Sequence, residues 1–354
     1  MDFNDYFSDA VDLLKQLISI PSVSREENQL ADFLEFTLKE KKYSPQRKGN
    51  NIWLFSPDWN ELKPTILLNS HIDTVKPVAG WTKDPFLPIE EDGKLFGLGS
   101  NDAGASVVSL LQTFFILTQT QQDNNFIFLA SCEEEISGKN GIESVLPELP
   151  KIDLGIVGEP TSMQPAIAEK GLMVLDGVVY GKAGHAAREE GVNAVYKAIP
   201  VIEWFRNTHF PEVSPLLGAV KMTVTGIQAG TQHNVIPDEC RFFVDIRTNE
   251  CYTNEALFEE IAGACGAEVH ARSFRLNSSR ISLQHPVVQQ AVELGMLPFG
   301  SPTLSDQTFM HFPSVKIGPG KSERSHSADE FIFTAEIAEA INRYFALLNA
   351  LKIS

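Results

Sequence analysis

The chain has 354 residues, with 29 Lys and Arg against 46 Asp and Glu, a formal charge of −17 and a pI near 4.9. That field repels a duplex or an anionic membrane, and 43% apolar residues is too many for a disordered chain. No run approaches the roughly 18 apolar residues of a spanning helix, Met1–Asp5 lacks the basic start of a signal peptide, and cysteines 132, 240, 251 and 265 are too scattered for a disulfide framework or a C-x-x-C site. A cytoplasmic protein of two or three domains is expected.

Tyr6–Ser19 has helical apolar spacing (Phe7, Ala10, Val11, Leu14, Leu17, Ile18) and stops at Pro21. A second helix is expected to open at Ser24, with Glu27 completing a capping box, and to run through Leu30, Phe33, Leu34 and Leu38 to about Lys41. Apolar runs at Ile52–Phe55, Thr65–Leu68, Phe126–Ala130 and Leu154–Val157 suit buried strands, and Ala103–Thr120 suits an apolar helix. Such alternation predicts an α/β domain with a mainly parallel sheet covered on both faces.

From about Leu172 the order becomes strand (Met173–Gly181), helix (Asn193–Thr208), two strands (Ala219–Gly226, Cys240–Arg247), helix (Asn254–Cys265) and strand (Ala267–Phe274). This βαββαβ order is ferredoxin-like. After Asn277 the earlier style returns, with a helix at Val287–Leu294, a strand at Ser314–Ile317 and a closing helix from Thr334 to about Leu351. The expected organisation is one α/β domain, residues 1–171 and 277–354, interrupted by an α+β domain of residues 172–276.

Chemistry-bearing side chains follow the strands. Thr65–Ser70 runs into His71-Ile72-Asp73, Phe126–Ala130 into Ser131-Cys132-Glu133-Glu134-Glu135, and Leu154–Val157 into Gly158-Glu159-Pro160. Gly97–Asn101 delivers Asp102 to the apolar helix, and Val315–Ile317 leads into a Gly-Pro-Gly loop carrying His326. Open α/β sheets bind ligands beyond the carboxyl ends of their strands. Two imidazoles with several carboxylates suit one or two divalent ions of the zinc, cobalt or manganese type. Asp102, Glu134 and Glu159 oppose all but one charge of two such ions, leaving room for a hydroxide, and a water shared between two ions is a nucleophile at neutral pH. Singly, each feature reads more plainly. His71-x-Asp73 is a loop pair, Asp102 an N-cap, the three glutamates a solvated turn, Cys132 a buried hydrophobe, and Gly97-Leu98-Gly99 lacks nucleotide-loop spacing. Their coincidence in one domain points to a metal site.

The stretches Ser70-His71-Ile72-Asp73-Thr74-Val75, Gly99-Ser100-Asn101-Asp102, Glu133-Glu134, Val157-Gly158-Glu159-Pro160, Gly184-His185-Ala186, Asn234-Val235-Ile236-Pro237 and Ser325-His326-Ser327 together resemble one family. It is the co-catalytic zinc exopeptidase and amidohydrolase family of acetylornithine deacetylase, succinyl-diaminopimelate desuccinylase, aminoacylase-1-type enzymes and carboxypeptidase G. The resemblance spans essentially the whole chain and implies a zinc-exopeptidase-like catalytic domain with a ferredoxin-like lid that also dimerises. It makes His71 and Glu159 ligands of one metal, Glu134 and His326 ligands of the other, and Asp102 the bridge. Asp73 matches the acid that orients the His71 imidazole, and Glu133 matches the general base. Two departures stand out. Cys132 occupies the place of an acid that usually precedes the base, and Ala103-Gly104-Ala105-Ser106 follows the bridge where Met-Lys-Gly-Gly is common.

The implied activity is metal-assisted hydrolysis of a linear amide in a small N-acyl amino acid, with no nucleic-acid or membrane partner. His185, reaching the site of a partner subunit in a homodimer, would stabilise the oxyanion, while Arg247 and Asn234 would bind the substrate. The short chain and Ser100-Asn101-Asp102-Ala103-Gly104 look closest to the acetylornithine deacetylase branch. That implies N2-acetyl-L-ornithine deacetylation in arginine biosynthesis, with two divalent ions per chain, zinc or cobalt. N-acetylcitrulline, N-succinylornithine, succinyl-diaminopimelate and dipeptides fit the same chemistry. A metal-free binding protein on this fold is the competing expectation, opposed by suitable side chains at every ligand position.

Overall fold

The structure, a computed structural model, describes residues 3–188 and 190–353. The chain divides into two compact units. One contains the described residues up to Ile167 with Arg280–Phe299 and those from Ser305 onward; the other contains Ala168–Ser279 with Gly300–Leu304.

The centre of the first unit is a sheet in which Asn125–Ser131, Thr65–His71, Leu154–Val157 and Ser314–Lys316 lie side by side and parallel. Antiparallel strands complete it, Asn51–Phe55 with the hairpin partner Gln46–Lys48 on one side and Ala166 against Lys316 on the other. Every residue of Thr65–His71, Asn125–Ser131 and Leu154–Val157 is buried, which explains unbroken apolar runs where a half-exposed strand would alternate. The helix Ala105–Leu117 is buried on all sides, against Asn4–Ile18 and Thr334–Leu348, so it needs no polar face. The two flanking helices are amphipathic and bury Leu14, Leu17, Ile337, Ile341 and Tyr344. Each such side chain removed from water contributes roughly 1.5–3 kcal/mol.

Two local expectations are corrected. The second helix spans Asn28–Glu40, and the expected Ser24–Glu27 capping box is absent. The Ser24 hydroxyl donates to Asp73 Oδ2, and the wholly buried Glu27 carboxylate accepts from the Arg25 and Glu133 N–H groups and from Asn50 Nδ2. Long-range acceptors therefore compete successfully with the local cap. The apolar helix also starts later, at Ala105, because Ser100–Gly104 is held in an irregular turn with extended backbone at Asp102.

The second unit has the βαββαβ order. Its sheet runs Lys221–Ala229, Glu239–Thr248, Gly171–Tyr180, Glu268–Ala271, all antiparallel, which is the ferredoxin-like arrangement. The helices Ala194–Asn207 and Asn254–Ala264 pack on this sheet through Ala198, Val201, Phe205, Leu257 and Ile261, against Leu175, Phe242, Val244 and Ile246. Asn193 and Thr253 cap the two helices, accepting from the N–H groups of Val195 and Ala256.

Candidate metal centre

Three parallel strands deliver three loops to one edge of the central sheet. His71 is the last residue of its strand and pairs with Ser131, after which the chain turns into Glu133-Glu134-Glu135; Glu159 lies two residues past Val157. Asp102 comes from the irregular turn before the buried helix, and His326 from the segment after the Gly-Pro-Gly loop.

These side chains converge within the first unit. His71 Nε2 lies 3.2 Å from Asp102 Oδ1, 3.6 Å from Glu159 Oε1 and 4.0 Å from Glu134 Oε2. His326 Nε2 lies 2.9 Å from Glu135 Oε2 and 3.8 Å from Asp102 Oδ2. One oxygen of Asp102 thus faces each imidazole. His71, Glu134 and Glu159 offer ligand atoms close enough to share an ion, as do His71, Asp102 and Glu135.

The three glutamates do not sit as the resemblance implies. Glu133 adopts a left-handed backbone (φ 56°), and its carboxylate is taken up by Asn140, whose Nδ2 donates at 2.9 Å. A Cβ on Gly138 would collide with that carboxylate, so the glycine is required for the packing. Glu133 therefore lies outside the groups that face the imidazoles, while Glu134 faces His71 and Glu135 faces His326. The expected pairing of Glu134 with His326 gives way to Glu135.

Asp73 performs two tasks. Its backbone carbonyl lies 2.9 Å from His71 Nδ1, with its carboxylate 3.6 Å from the same nitrogen, which fixes Nε2 toward the acids. Its carboxylate oxygens also accept from the Glu134 and Glu135 N–H groups, at 3.0 and 3.1 Å. The resemblance assigned only the first task. Three further buried carboxylates surround the cluster, Asp306 and Glu330 without a mark in the sequence and Glu27 where a helix cap is expected. Glu27 accepts from the Glu133 N–H, Asp306 from Ser131 Oγ and Asn69 Nδ2, and Glu330 from the Gly99, Asn101 and Asp102 N–H groups.

The electrostatics show how the cluster balances its charge. Burial, reinforced by the surrounding acids against the pull of His71, pushes the Glu159 carboxyl up to about 8 and Glu134 well above its ordinary value. Burial would lower the His71 imidazole, but Asp102, Asp73, Glu134 and Glu159 outweigh it and hold the ring well above its usual range. The hydrogen bond to Glu135 carries His326 to about 9. Raised carboxyls and raised imidazoles alike hold protons in the cluster, and divalent ions would take the place of those protons. The +4 of two divalent ions balances Asp102, Glu134, Glu135 and Glu159, and the mixed N/O donor set is the kind that zinc, cobalt or manganese accepts. The residues fit such ions.

The remaining predicted residues belong to the second unit. The short strands Gly184–His185 and Val235–Ile236 pair, so His185 and Asn234 are brought near one another; the Ala186 N–H donates to the Asn234 carbonyl and the Ala187 N–H to His185 Nδ1. Both residues are exposed. The Arg247 guanidinium grips Asp245 at 2.8 and 3.1 Å, and across the ladder it faces Lys221.

A family model described as peptidase family M20/M25/M40 matches residues 67–350. The acetylornithine deacetylase of Proteus mirabilis is 27% identical over 360 residues, covering 92% of each chain. A succinyl-diaminopimelate desuccinylase of Wolbachia pipientis is 25% identical over 289 residues, 77% of this chain and 73% of its own. Among solved structures, aminopeptidase PepT of Bacillus cereus superposes with a TM-score of 0.80 at 18% identity, covering 97% of this chain and 98% of that one. The Bacillus subtilis YXEP protein, described as a dinuclear metal binding peptidase, superposes at 0.73 with 19% identity over 97% of each chain.

Proposed function

The chain belongs to peptidase family M20/M25/M40 and is a metal-dependent amide hydrolase of that family; from this premise we propose that it deacylates an N-acyl amino acid, with N2-acetyl-L-ornithine as the substrate. The observation that carries the reading is the placement of Asp102 between two imidazoles, with Glu134 and Glu135 directed to different ones. Similarity to the Proteus deacetylase over nearly the full length of both chains supports the substrate. Similarity to the Wolbachia enzyme favours a second reading, succinyl-diaminopimelate desuccinylation on the same site.

In this proposal His71, Asp102 and Glu159 would hold one ion, and Asp102, Glu135 and His326 the other. When bound, zinc ions would polarise the amide carbonyl and acidify water at neutral pH. Glu134 is the general base, one residue beyond the position the resemblance implies, and Glu135 takes the ligand role. The Glu134 carboxylate accepts the proton of the attacking water and passes it to the departing nitrogen, so it must work on both sides of its own titration. Asp73 holds His71 in one orientation and, through two N–H groups, fixes where Glu134 and Glu135 point. Glu133 supports the turn through Asn140.

His185 is assigned to the oxyanion, donated from a second copy of the chain, and Arg247 and Asn234 to the substrate carboxylate. The edge strand Lys221–Ala229, with Ile227 exposed, gives the second unit a surface for two-fold pairing. Cys132, Cys240, Cys251 and Cys265 are all unbridged, which supports a reducing compartment and hence the cytoplasm. Among the described residues no helix is long and apolar enough to cross a membrane.

The test is turnover of N-acetylornithine, N-acetylcitrulline, N-succinylornithine, succinyl-diaminopimelate and simple dipeptides with added zinc or cobalt. N-acetylornithine should give the highest kcat/KM. A clear preference for succinyl-diaminopimelate would establish the second reading, and no hydrolysis of any amide at saturating metal would refute both.

A further inference from the structure

Glu330 is buried at 2% exposure, four residues past His326, yet it offers no atom to the ligand groups. Its Oε1 accepts from the Asn101 N–H at 2.8 Å and the Asp102 N–H at 3.0 Å, and its Oε2 from the Gly99 N–H at 3.2 Å. Its backbone carbonyl accepts from the Gly97 N–H at 3.0 Å. The zipper continues from Asn101, a fully buried side chain whose Nδ2 donates to the Lys321 carbonyl and to Ser325 Oγ, and whose Oδ1 accepts from the Lys321 N–H. On the other side Phe331–Phe333 pairs with Lys94–Phe96. The turn that presents Asp102 and the segment that presents His326 are thereby fastened along their length, and Glu330 supplies the bonds nearest Asp102.

This arrangement differs from the way His71 and Glu159 are placed. Those two follow neighbouring parallel strands whose ladder fixes their spacing directly. No ladder joins Asp102 to His326, because one lies in an irregular turn and the other in a loop. Their spacing depends on side-chain acceptors. A carboxylate suits the task because two oxygens can take three amide N–H groups, which a neutral amide side chain cannot match.

We propose that Glu330 is a positioning residue that sets the distance between Asp102 and His326, and so governs the affinity of the ion those two residues share with Glu135 more strongly than that of the other ion. The proposal rests on the two-metal reading of the centre. Glu330 touches neither ion nor substrate. Its removal loosens most the site where both Asp102 and His326 would be ligands, and less the one where Asp102 is joined by His71 and Glu159, whose spacing the strand ladder keeps.

The experiment is stepwise Co²⁺ titration of the chelated full-length chain, followed by calorimetry and by the visible absorption of each bound ion, for wild type, Glu330→Ala, Glu330→Gln and His326→Ala. Removing a group that orients ligands costs about 10- to 100-fold in metal affinity. Glu330→Ala should lose that much at the ion that His326→Ala abolishes, while the other ion, which shares Asp102 but neither His326 nor Glu135, should lose clearly less. Glu330→Gln retains one acceptor for the Asn101 and Asp102 N–H groups but sets a donor against Gly99, so it should fall between wild type and the alanine variant. A merely structural glutamate would lower the melting temperature and move both ions by the same factor or neither, and either result overturns the proposal. Should Glu330→Ala fail to fold, the glutamine variant decides the same question. A wild-type chain that takes up fewer than two ions would instead refute the metal reading on which the proposal stands.

Discussion

The regions that carry candidate chemistry in the two units are built in opposite ways. In the first, Glu133, Glu134, Glu135 and Asp102 are each placed through the backbone by another buried carboxylate. Glu27 takes the N–H of Glu133, Asp73 those of Glu134 and Glu135, and Glu330 those of Asn101 and Asp102. In the second, His185 lies on a two-residue strand and Asn234 just before its partner strand, both exposed, and Arg247 pairs with Asp245. Ligand and base groups must be held to a fraction of an ångström, and burial with redundant hydrogen bonding achieves that. Recognition groups must meet an arriving molecule, so they stay accessible and keep a partner that the substrate can displace.

The sharpest way to break this contrast is at the three glutamates. Glu134→Gln should retain metal and lose kcat by about 10²- to 10⁴-fold, the usual contribution of a general acid-base. Glu135→Gln should weaken metal retention, and Glu133→Gln should cost the least activity, since Asn140 can still pair with it. Metal analysis alongside single-substrate kinetics distinguishes the three. A Glu133 variant that is dead with both ions in place would return the base to the position implied by resemblance.

In the second unit, His185→Ala should lower kcat by about 10²- to 10³-fold if it donates to the oxyanion. If it acts from a second chain, Glu134→Gln and His185→Ala chains are each inactive alone. Mixed dimers then regain one intact site, and random pairing returns roughly a quarter of wild-type activity. Confirmed heterodimers without activity would exclude action in trans. Arg247→Ala should have a smaller effect, raising KM for an N-acyl amino acid in proportion to a lost charge-assisted hydrogen bond, about 1.5–3 kcal/mol. The amidated substrate should show little change; equal losses on both would make Arg247 a structural partner of Asp245.

The sequence made the strands legible because buried parallel strands must be apolar throughout, and their ends marked His71, Glu159 and the glutamate run. The register within that run was not legible. Three identical residues carry no internal mark, and motif matching placed the base at Glu133 and left Cys132 where an acid is usual. Moving the assignment by one puts Glu133 in that acid position and removes the departure, a signal that was available but read as an exception. Glu27 misled for a physical reason: Ser-x-x-Glu spacing satisfies a local cap on paper, but the buried carboxylate finds Glu133, Asn50 and Arg25 instead. Glu330 and Asp306 left no signal, since their partners are backbone N–H groups and side chains distant in sequence.

The smallest expected effect is on stability, and its sign tests whether the acidic cluster is built for cations. Burial raises Glu159 to about 8, and burial with the charge of Asp102 raises Glu330 to about 8 as well. Between the ordinary carboxyl value and about 8, the folded chain keeps protons on these groups that the unfolded chain has released, so stability must fall as pH rises through that window. The imidazoles act in the same direction. Their folded values are raised, His326 to about 9, and the stability from their charged forms disappears as pH rises through those values. Asp73 and Asp102 are lowered below their ordinary values, so their contributions are complete above that range and add no slope near neutrality. After chelation the protein should therefore melt lower at pH 9 than at pH 6, by roughly 1–1.5 °C for each 1 kcal/mol lost in a chain of this length. With saturating zinc the slope should shrink or reverse, because deprotonated ligands bind the ion more tightly and binding to the folded form stabilises it. Calorimetric melting of chelated and zinc-loaded protein at both pH values reads the difference directly. A chelated protein that grows more stable toward pH 9 would mean that the clustered acids do not oppose one another and have no need of a cation.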